Sequence, residues 1–237
     1  MNLGFMQPYF VPYLGYFDLI QQTDEWVFFD SAQFIRRGWV NRNRILKQGG
    51  GWSYITVPVQ HAPLSTSIRD IAIDDDQTWR QRILAQFDVL RPHAPFFTPV
   101  RDLLADALRA PTPSLAELNI GLIERVCAYL SIARRMHRFS ALPPSGVEVA
   151  AAGDWALHLC SALGATGYLN PPGGTALYDP TVFAAHGITL RIQNFAPMPY
   201  PTPGFEAVEN LSILDVLAWN PPAAVRAHLA AQPRYFS

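Results

Sequence analysis

The chain has 237 residues and a formal net charge of −1, and only 16% of its residues are charged, against about a quarter in an average soluble domain. This balance disfavours a general nucleic-acid binder, which carries a basic excess, and an apolar share of 49% excludes a disordered chain. No run approaches the roughly 18 apolar residues that span a bilayer, and the N-terminus does not resemble a signal peptide. We therefore expect a cytoplasmic protein of one domain.

The first thirty residues predict a β–loop–α–β unit, the usual opening of an α/β domain. Residues 3–6 form a short apolar strand, and Pro8 and Pro12 then prevent regular structure because they lack N–H donors. Residues 13–22 have the apolar spacing of a helix. Residues 25–30 predict a buried strand that ends in a carboxylate.

The rest of the chain predicts a helical block followed by a second alternation of strands and helices. Residues 31–51 are polar and basic, which predicts a long loop with little core, and Pro197 to Pro203 predicts an irregular surface segment. Strands are expected at 52–57, 68–73, 138–142, 168–169 and 188–195. Helices are expected at 77–91, 97–109, 114–131, 154–163, 212–219 and 222–231, with caps at Asp76, Ser114 and Asn210. We expect an α/β fold, a Rossmann-like, mainly parallel sheet with a helical insertion at about 77–132, in a single domain of residues 1–237.

The first candidate site lies in the loop after the first strand. Six aromatic residues fall between Phe5 and Phe17, and tyrosine rings combine a flat apolar face with a hydroxyl, which suits stacking on sugars or bases. Gly15 would permit a close backbone approach to a ligand. Loops bracketed by proline at strand ends are where α/β proteins bind ligands. The alternative is that these rings fill the core.

The second candidate site is the basic segment, residues 36–47, which holds five of the chain's eighteen Lys and Arg residues. Guanidinium groups bind phosphate through paired hydrogen bonds, and Trp39 could stack on a base. The expected ligand contacts are Arg37, Trp39, Asn41, Arg42, Asn43 and Arg44. A solvated charged face is the alternative, and one basic loop is a weak indication of RNA binding.

Asp30 is a third candidate because it follows a strand at the edge where open α/β sheets bind ligands. It could transfer a proton, contact a ribose or hold a metal, or it could only cap a turn, and Gln33 lies beside it. A turn-rich late loop, of the kind that carries function, holds Gly173, Gly174, Tyr178 and Asp179. Plain turn chemistry, with Asp179-Pro180 starting a helix, is the alternative. Cys127 and Cys160 fit buried helix faces. The six histidines are scattered, so no metal motif is present.

These motifs closely resemble the WbqC-like protein family. The resemblance rests on residues 7–17, on Phe29-Asp30, on Gln33-Phe34 and on 37–45. It continues through residues 57–59, the Cys160 helix, 168–183 and 211–217, and so covers nearly the whole chain. One departure is Ser31, which stands where the family more often has Asp and removes a carboxylate beside Asp30.

The resemblance implies a role in bacterial surface-polysaccharide (O-antigen type) biosynthesis, with transfer of an acyl or aminoacyl group to a nucleotide-linked amino sugar. We expect catalytic roles for Gln7, Tyr16 and Asp30. The remaining expected contacts with the nucleotide-activated sugar, or with another phosphate-bearing small molecule, are Tyr9, Pro12, Gly15, Gln33 and Tyr178, beside those of the basic segment. A nucleotide or an acyl or aminoacyl donor would be the co-substrate, and a homo-oligomer is left open.

Two other functions compete with this one. The opening β–loop–α unit is similar to nucleotidylyltransferases of the HIGH type, and this similarity suggests a nucleotide-dependent activating enzyme. Leu14-Gly15-Tyr16 stands in the place of the HIGH motif but lacks its histidines. A non-catalytic partner in a polysaccharide assembly complex is the third function. Its docking surface would be residues 197–203 and the Tyr235-Phe236 tail.

Overall fold

The computed structural model of the protein describes residues 1–75 and 78–232, so the expected cap Asp76 and the Tyr235-Phe236 tail lie outside the described residues. The strands are β1 (Asn2–Met6), β2 (Glu25–Phe28), β3 (Arg42–Leu46), β4 (Trp52–Thr56), β5 (Arg135–Arg138), β6 (Gly167–Asn170) and β7 (Thr189–Ile192). The α-helices are α1 (Leu14–Gln22), α2 (Thr78–Phe87), α3 (Phe97–Arg109), α4 (Leu115–Tyr129), α5 (Asp154–Leu163), α6 (Pro180–Ala185), α7 (Ile213–Trp219) and α8 (Pro222–Ala230).

Five strands form one parallel sheet in the order β5-β2-β1-β6-β7. In the central strand, Leu3 lies opposite Glu25 of β2 on one side and Tyr168 of β6 on the other. The chain first extends the sheet on one side of β1 and later returns to add β6 and β7 on the opposite side. The expected Rossmann-like α/β fold is confirmed, and its strand order reverses between β1 and β6, the point at which such sheets bind ligands.

The two faces of the sheet are covered by different cores because side chains alternate along each strand. Leu3 and Phe5 pack with α5 and α6, whereas Trp26 and Phe28 pack with α1. Gly4 faces the α1 side, where an added Cβ would come within 2.9 Å of the Trp26 ring. The absence of a side chain at this position lets the ring lie directly against the central strand.

Strands β3 and β4 form a separate antiparallel hairpin, and α2, α3 and α4 follow it. The hairpin and these helices share one buried core with α1 and α7. At the start of α4, the Ser114 hydroxyl accepts a hydrogen bond from the Glu117 N–H at 3.3 Å, while the Glu117 carboxylate pairs with Arg138. No helix in the described part of the chain is long and apolar enough to cross a bilayer.

The expectation of a long loop over residues 31–51 is wrong in part. Residues 42–46 form β3, and Val40, Ile45 and Leu46 are buried. The arginines conceal this strand because Arg42 and Arg44 alternate with the buried Asn43 and Ile45, and buried Leu46 ends the strand. The polar composition therefore belongs to one face of a strand rather than to a loop.

Three smaller expectations are also corrected. Residues 68–73 begin with a 3₁₀ turn at Ile68–Asp70 rather than a strand, and the strand expected at 138–142 instead ends at Arg138. Helix α7 is capped by Ser212, whose hydroxyl accepts the Leu214 N–H at 3.2 Å. Asn210 lies before this cap with a positive φ of 54°.

The proline-rich segment at 197–203 contains no helix or strand, as expected. It is not only a surface connection, however, because Met198 and Tyr200 are half-buried and pack against the main core. A segment without regular structure can thus still contribute apolar side chains to the core.

Candidate functional site

A cavity of about 590 Å³ opens where the strand order of the sheet reverses. We call it the switch-point cavity. Met6, the last residue of β1, forms one wall, and Pro171 to Gly174, directly after β6, form the opposite wall. The remaining lining residues are Tyr9, Pro12, Tyr13, Trp39, Asn43, Arg44 and Asn210. Both the volume and the position are typical of small-molecule sites in α/β proteins.

The loop after β1, residues 7–13, is held by side chains from distant parts of the chain. The Asn119 amide donates to the carbonyls of Pro8 and Val40 at 2.8 and 2.7 Å. The Asn43 amide donates to the carbonyls of Phe10 and Val11 at 3.0 and 2.9 Å. Because buried carbonyls need donors, these two buried asparagines fix the path of the loop. The loop therefore forms a rigid wall of the cavity.

Two further contacts complete this anchoring. The Ser212 hydroxyl donates to the Val11 carbonyl at 2.9 Å, and the Ile213 N–H donates to the Pro12 carbonyl at 2.9 Å. Val11 itself has a φ of +37°, a strained conformation for a β-branched residue. Such strain persists only where the surroundings determine the backbone, and here four donors do so.

Tyr16 and Gly15 support the loop from below instead of facing a ligand. Tyr16 has no exposed surface, and its hydroxyl donates to the Gln7 carbonyl at 3.0 Å. Gly15 is buried, and an added Cβ would lie 2.3 Å from the Tyr13 ring. The close approach that this glycine permits is therefore that of Tyr13. Gln7 is half-buried, and its side-chain oxygen accepts from the Tyr9 hydroxyl at 3.4 Å.

Arg44 is the one cation among the described residues that line the switch-point cavity, and no aspartate or glutamate lines it. Its guanidinium carbon lies 5.5 Å from the centre of the Trp39 ring and 5.2 Å from that of Trp52. One terminal nitrogen donates to the Asn210 carbonyl at 3.0 Å. The cation is thus held between two rings at the edge of the cavity, where it favours an anionic ligand.

Apart from Asn43, the remaining basic and polar residues of the basic segment do not line this cavity. Arg37 and Asn41 line a separate cavity of about 310 Å³ beside His61. The Arg42 guanidinium stacks on Tyr54, 4.0 Å from the ring centre, and donates to the Arg37 carbonyl. The expectation of one phosphate-binding loop is therefore corrected. Arg42 lies on the same face of β3 as Arg44 but is held on Tyr54. Arg37 and Asn41 precede the strand and line the other cavity.

Asp30 is buried, and it caps the turn at residues 139–141. Its two carboxylate oxygens accept hydrogen bonds from the Ser140 N–H at 2.9 Å and from the Ser140 hydroxyl at 2.5 Å. Gln33 is exposed and donates to the Leu64 carbonyl at 2.6 Å. Tyr178 shares a hydrogen bond of 3.2 Å with the Tyr168 hydroxyl. None of these three residues lines the switch-point cavity.

The cavity is suited to binding and positioning more than to proton transfer. Burial raises the pKa of both Tyr9 and Tyr13, so both phenols stay protonated at neutral pH. Burial also raises the pKa of Cys127 and of Cys160 to about 12, which keeps both thiols protonated. No group of three His, Cys, Asp or Glu residues lies together in residues 1–75 and 78–232.

The structure thus brings together Tyr9, Pro12, Trp39, Asn43 and Arg44 from the expected set. It adds Tyr13 and Asn210, and it places on the cavity wall Gly173 and Gly174 of the turn-rich late loop, which the sequence singles out together with Tyr178. No local pattern indicates Asn210, because it reaches the site through the fold of the C-terminal region.

The fold is that of an α/β protein with a cavity at the switch point of a Rossmann-like sheet. The profile of the WbqC-like protein family matches residues 7–227, and the chain belongs to this family. It is 31% identical over 225 residues to the uncharacterized protein Rv1507c of Mycobacterium tuberculosis, and the match covers 91% of this chain and 92% of the relative. No solved structure matches the chain significantly.

Proposed function

We propose that the switch-point cavity binds a nucleotide-linked amino sugar and that the protein transfers an acyl or aminoacyl group to its amine during surface-polysaccharide assembly. The observation that carries this proposal is Arg44, held between Trp39 and Trp52 at a cavity whose described lining residues include no carboxylate. A guanidinium binds a diphosphate through paired hydrogen bonds, and an exposed indole stacks on a base or sugar.

The transfer step needs little from the protein beyond positioning. The sugar amine nitrogen forms a bond to the carbonyl carbon of the donor, the bond between that carbon and the donor's leaving group breaks, and the amine proton passes to the leaving group. Alignment of two bound reactants can by itself account for several kcal/mol of the barrier. The loop of residues 7–13 supports this role because its carbonyls are held by donors from the protein itself, those of Asn43, Asn119 and Ser212.

A second candidate, a non-catalytic binding partner in a polysaccharide assembly complex, is favoured by one observation. Among the described lining residues there is no His, Cys, Asp or Glu to move a proton. The same observation argues against nucleotidylyl transfer, because the described residues that line the cavity include no histidine to stabilise the charge of the phosphoryl group. Turnover of an acyl donor in the presence of the sugar nucleotide distinguishes the enzyme from the binding partner.

The binding step is tested by calorimetric titration with a panel of nucleotide-linked amino sugars and the corresponding free nucleotides. The wild-type protein binds at least one sugar nucleotide, and Arg44→Gln weakens that binding about tenfold or more, as expected for loss of a charge-assisted contact. Arg125→Gln, on the exposed side of α4, serves as the charge-matched control and leaves it unchanged. A folded wild-type protein that binds none of the panel contradicts the proposal.

A further inference from the structure

A second cavity, of about 450 Å³, lies beside the switch-point cavity, between the start of α1 and residues 195–211. We call it the apolar cavity because most of its lining side chains are apolar. Phe195, Met198, Tyr200, Val208 and Leu211 form its walls. Its volume is that of a small-molecule site, and nothing assigned so far to the protein uses it.

The two cavities share walls. Tyr13 and Asn210 line both of them. The Tyr13 ring meets Phe195 edge to face, with ring centres 6.2 Å apart, and Gly15 leaves the space in which that ring lies. Groups bound in the two cavities would therefore be neighbours, separated by one ring and one backbone segment.

The charges around the two cavities are opposite. The apolar cavity is lined by no Lys, Arg or His within the described chain, and its one charged lining residue is Glu209. The switch-point cavity, in contrast, has Arg44 and no carboxylate among its described lining residues. Apolar walls with a carboxylate at the rim favour a group that is apolar and positively charged.

We infer that the apolar cavity is a second binding site, for an apolar group that carries an ammonium, adjacent to the anionic ligand in the switch-point cavity. The inference rests on the proposed function for its role there, where the occupant would be the aminoacyl part of the donor. Glu209 would pair with the ammonium, and Met198 and Val208 would contact the apolar part. An ammonium in this cavity favours an aminoacyl donor over a plain acyl donor.

L-Leucinamide is the probe, because it has the ammonium and the apolar chain but no carboxylate. Its reference is 4-methylpentanamide, which has the same skeleton without the amine. The wild-type protein binds leucinamide about fourfold more tightly than the reference, the effect of a partly solvated ion pair. Glu209→Gln removes that preference, and Glu206→Gln, an exposed glutamate of the same segment that does not line the cavity, keeps it.

The location is read from the methionine methyl groups by ¹³C-methyl NMR, since the chain has four methionines. Met198 lines the apolar cavity, Met6 the switch-point cavity, and Met136 a distant surface. Leucinamide shifts the Met198 signal and not that of Met136. Val208→Trp, which fills the cavity, abolishes the shift while the variant keeps its cooperative thermal unfolding.

Each outcome decides something. No Met198 shift, or no preference for the amine, or a preference that survives Glu209→Gln, overturns the inference. If a sugar nucleotide shifts Met6 while leucinamide leaves Met198 unmoved, the inference fails and the proposed function stands. If leucinamide shifts Met198 while no sugar nucleotide binds, the second site stands and the proposed function fails.

Discussion

The loop at residues 7–13 and the basic segment at residues 36–47 are both rich in residue types found at ligand sites, yet they differ in how they contribute to the switch-point cavity. The loop keeps one path, because its carbonyls accept hydrogen bonds from Asn43, Asn119 and Ser212. The basic segment is divided, because Arg44 faces the switch-point cavity, Arg42 stacks on Tyr54, and Arg37 lines another cavity.

The number of ligand-binding residue types in a segment therefore predicts its part in the cavity less well than the hydrogen bonds that hold the segment in place. The loop contributes Tyr9, Pro12 and Tyr13 to the cavity, none of them charged, but its path determines the shape of the cavity. The basic segment contributes a single cation, although five of the eighteen Lys and Arg residues lie there. Substitutions in and around the two regions test this contrast.

Replacing the main anchor of the loop has the largest expected effect. Asn119→Leu leaves the carbonyls of Pro8 and Val40 without their donor, and each unsatisfied buried group costs about 1–3 kcal/mol. We expect a loss of about 3 kcal/mol in the free energy of unfolding, measured by urea denaturation. Asn220→Leu, which removes a buried amide bonded to the single carbonyl of Val216, should cost clearly less. Equal losses would contradict the anchoring role.

The C-terminal end of the basic segment is held by the carboxyl group of Asp215, and this group should make the stability of the protein depend on pH. Asp215 accepts the Leu46 N–H at 3.2 Å, and burial raises its pKa to about 7. The folded state therefore holds a proton that the unfolded state has released between about pH 4 and 7, so this group lowers stability as the pH rises through that range. Asp215→Asn should stabilise the protein by on the order of 2 kcal/mol at pH 8 and by much less at pH 4.

Chemical denaturation across this pH range measures the effect. Asp102→Asn, an exposed position on α3, is the control and should leave the pH dependence as in the wild type. A variant at position 215 with the wild-type pH profile would show that this carboxylate does not titrate on unfolding.

The shared wall of the two cavities is tested through Gly15. A methyl group at this position overlaps the Tyr13 ring, so Gly15→Ala should cost about 1–2 kcal/mol, as overpacking does. Adding Tyr13→Ala removes the overlap, and in a double-mutant cycle the second change should recover most of the loss caused by the first. Purely additive effects in thermal unfolding would argue that the two residues do not press on each other.

The division of the basic segment is tested by binding. Arg44→Gln weakens sugar-nucleotide binding about tenfold, whereas Arg42→Gln and Arg37→Gln change it less than about twofold, since neither side chain lines the switch-point cavity and exposed charges act weakly at a distance. Calorimetric titration of the three variants against one ligand measures this. Similar losses in all three would restore the single phosphate-binding loop that the sequence predicts.

Much of the fold is readable from the sequence because local patterns determine it. The opening β–loop–α–β unit, the helices at 97–109 and 154–163, and the α/β class follow from periodicity and punctuation by proline and glycine. Strand β3 does not follow, since its outward face is basic and its inward face alone is apolar or amide-bearing. The 68–73 segment alternates like a strand but turns after Ser67, where tertiary contacts outweigh the pattern.

The site is less readable, because its parts come from separate regions. The position of the loop depends on Asn119 and Ser212, which are far away in the chain and belong to α4 and the start of α7. Asp30 follows a strand as a catalytic carboxylate would, yet the 139–141 turn takes both of its oxygens. Local sequence cannot reveal which buried group meets which partner.

The central claim is that an anionic, nucleotide-linked ligand binds in the switch-point cavity against Arg44. Methionine ¹³C-methyl NMR during titration with a nucleotide-linked amino sugar tests it most directly, because Met6 lines that cavity and Met136 does not. We expect the Met6 signal to shift with a saturable dependence on ligand, the Met136 signal to stay in place, and Arg44→Gln to move the titration to about tenfold higher concentration. A Met6 signal that stays in place in a folded protein, or the same titration curve for Arg44→Gln, would contradict the claim.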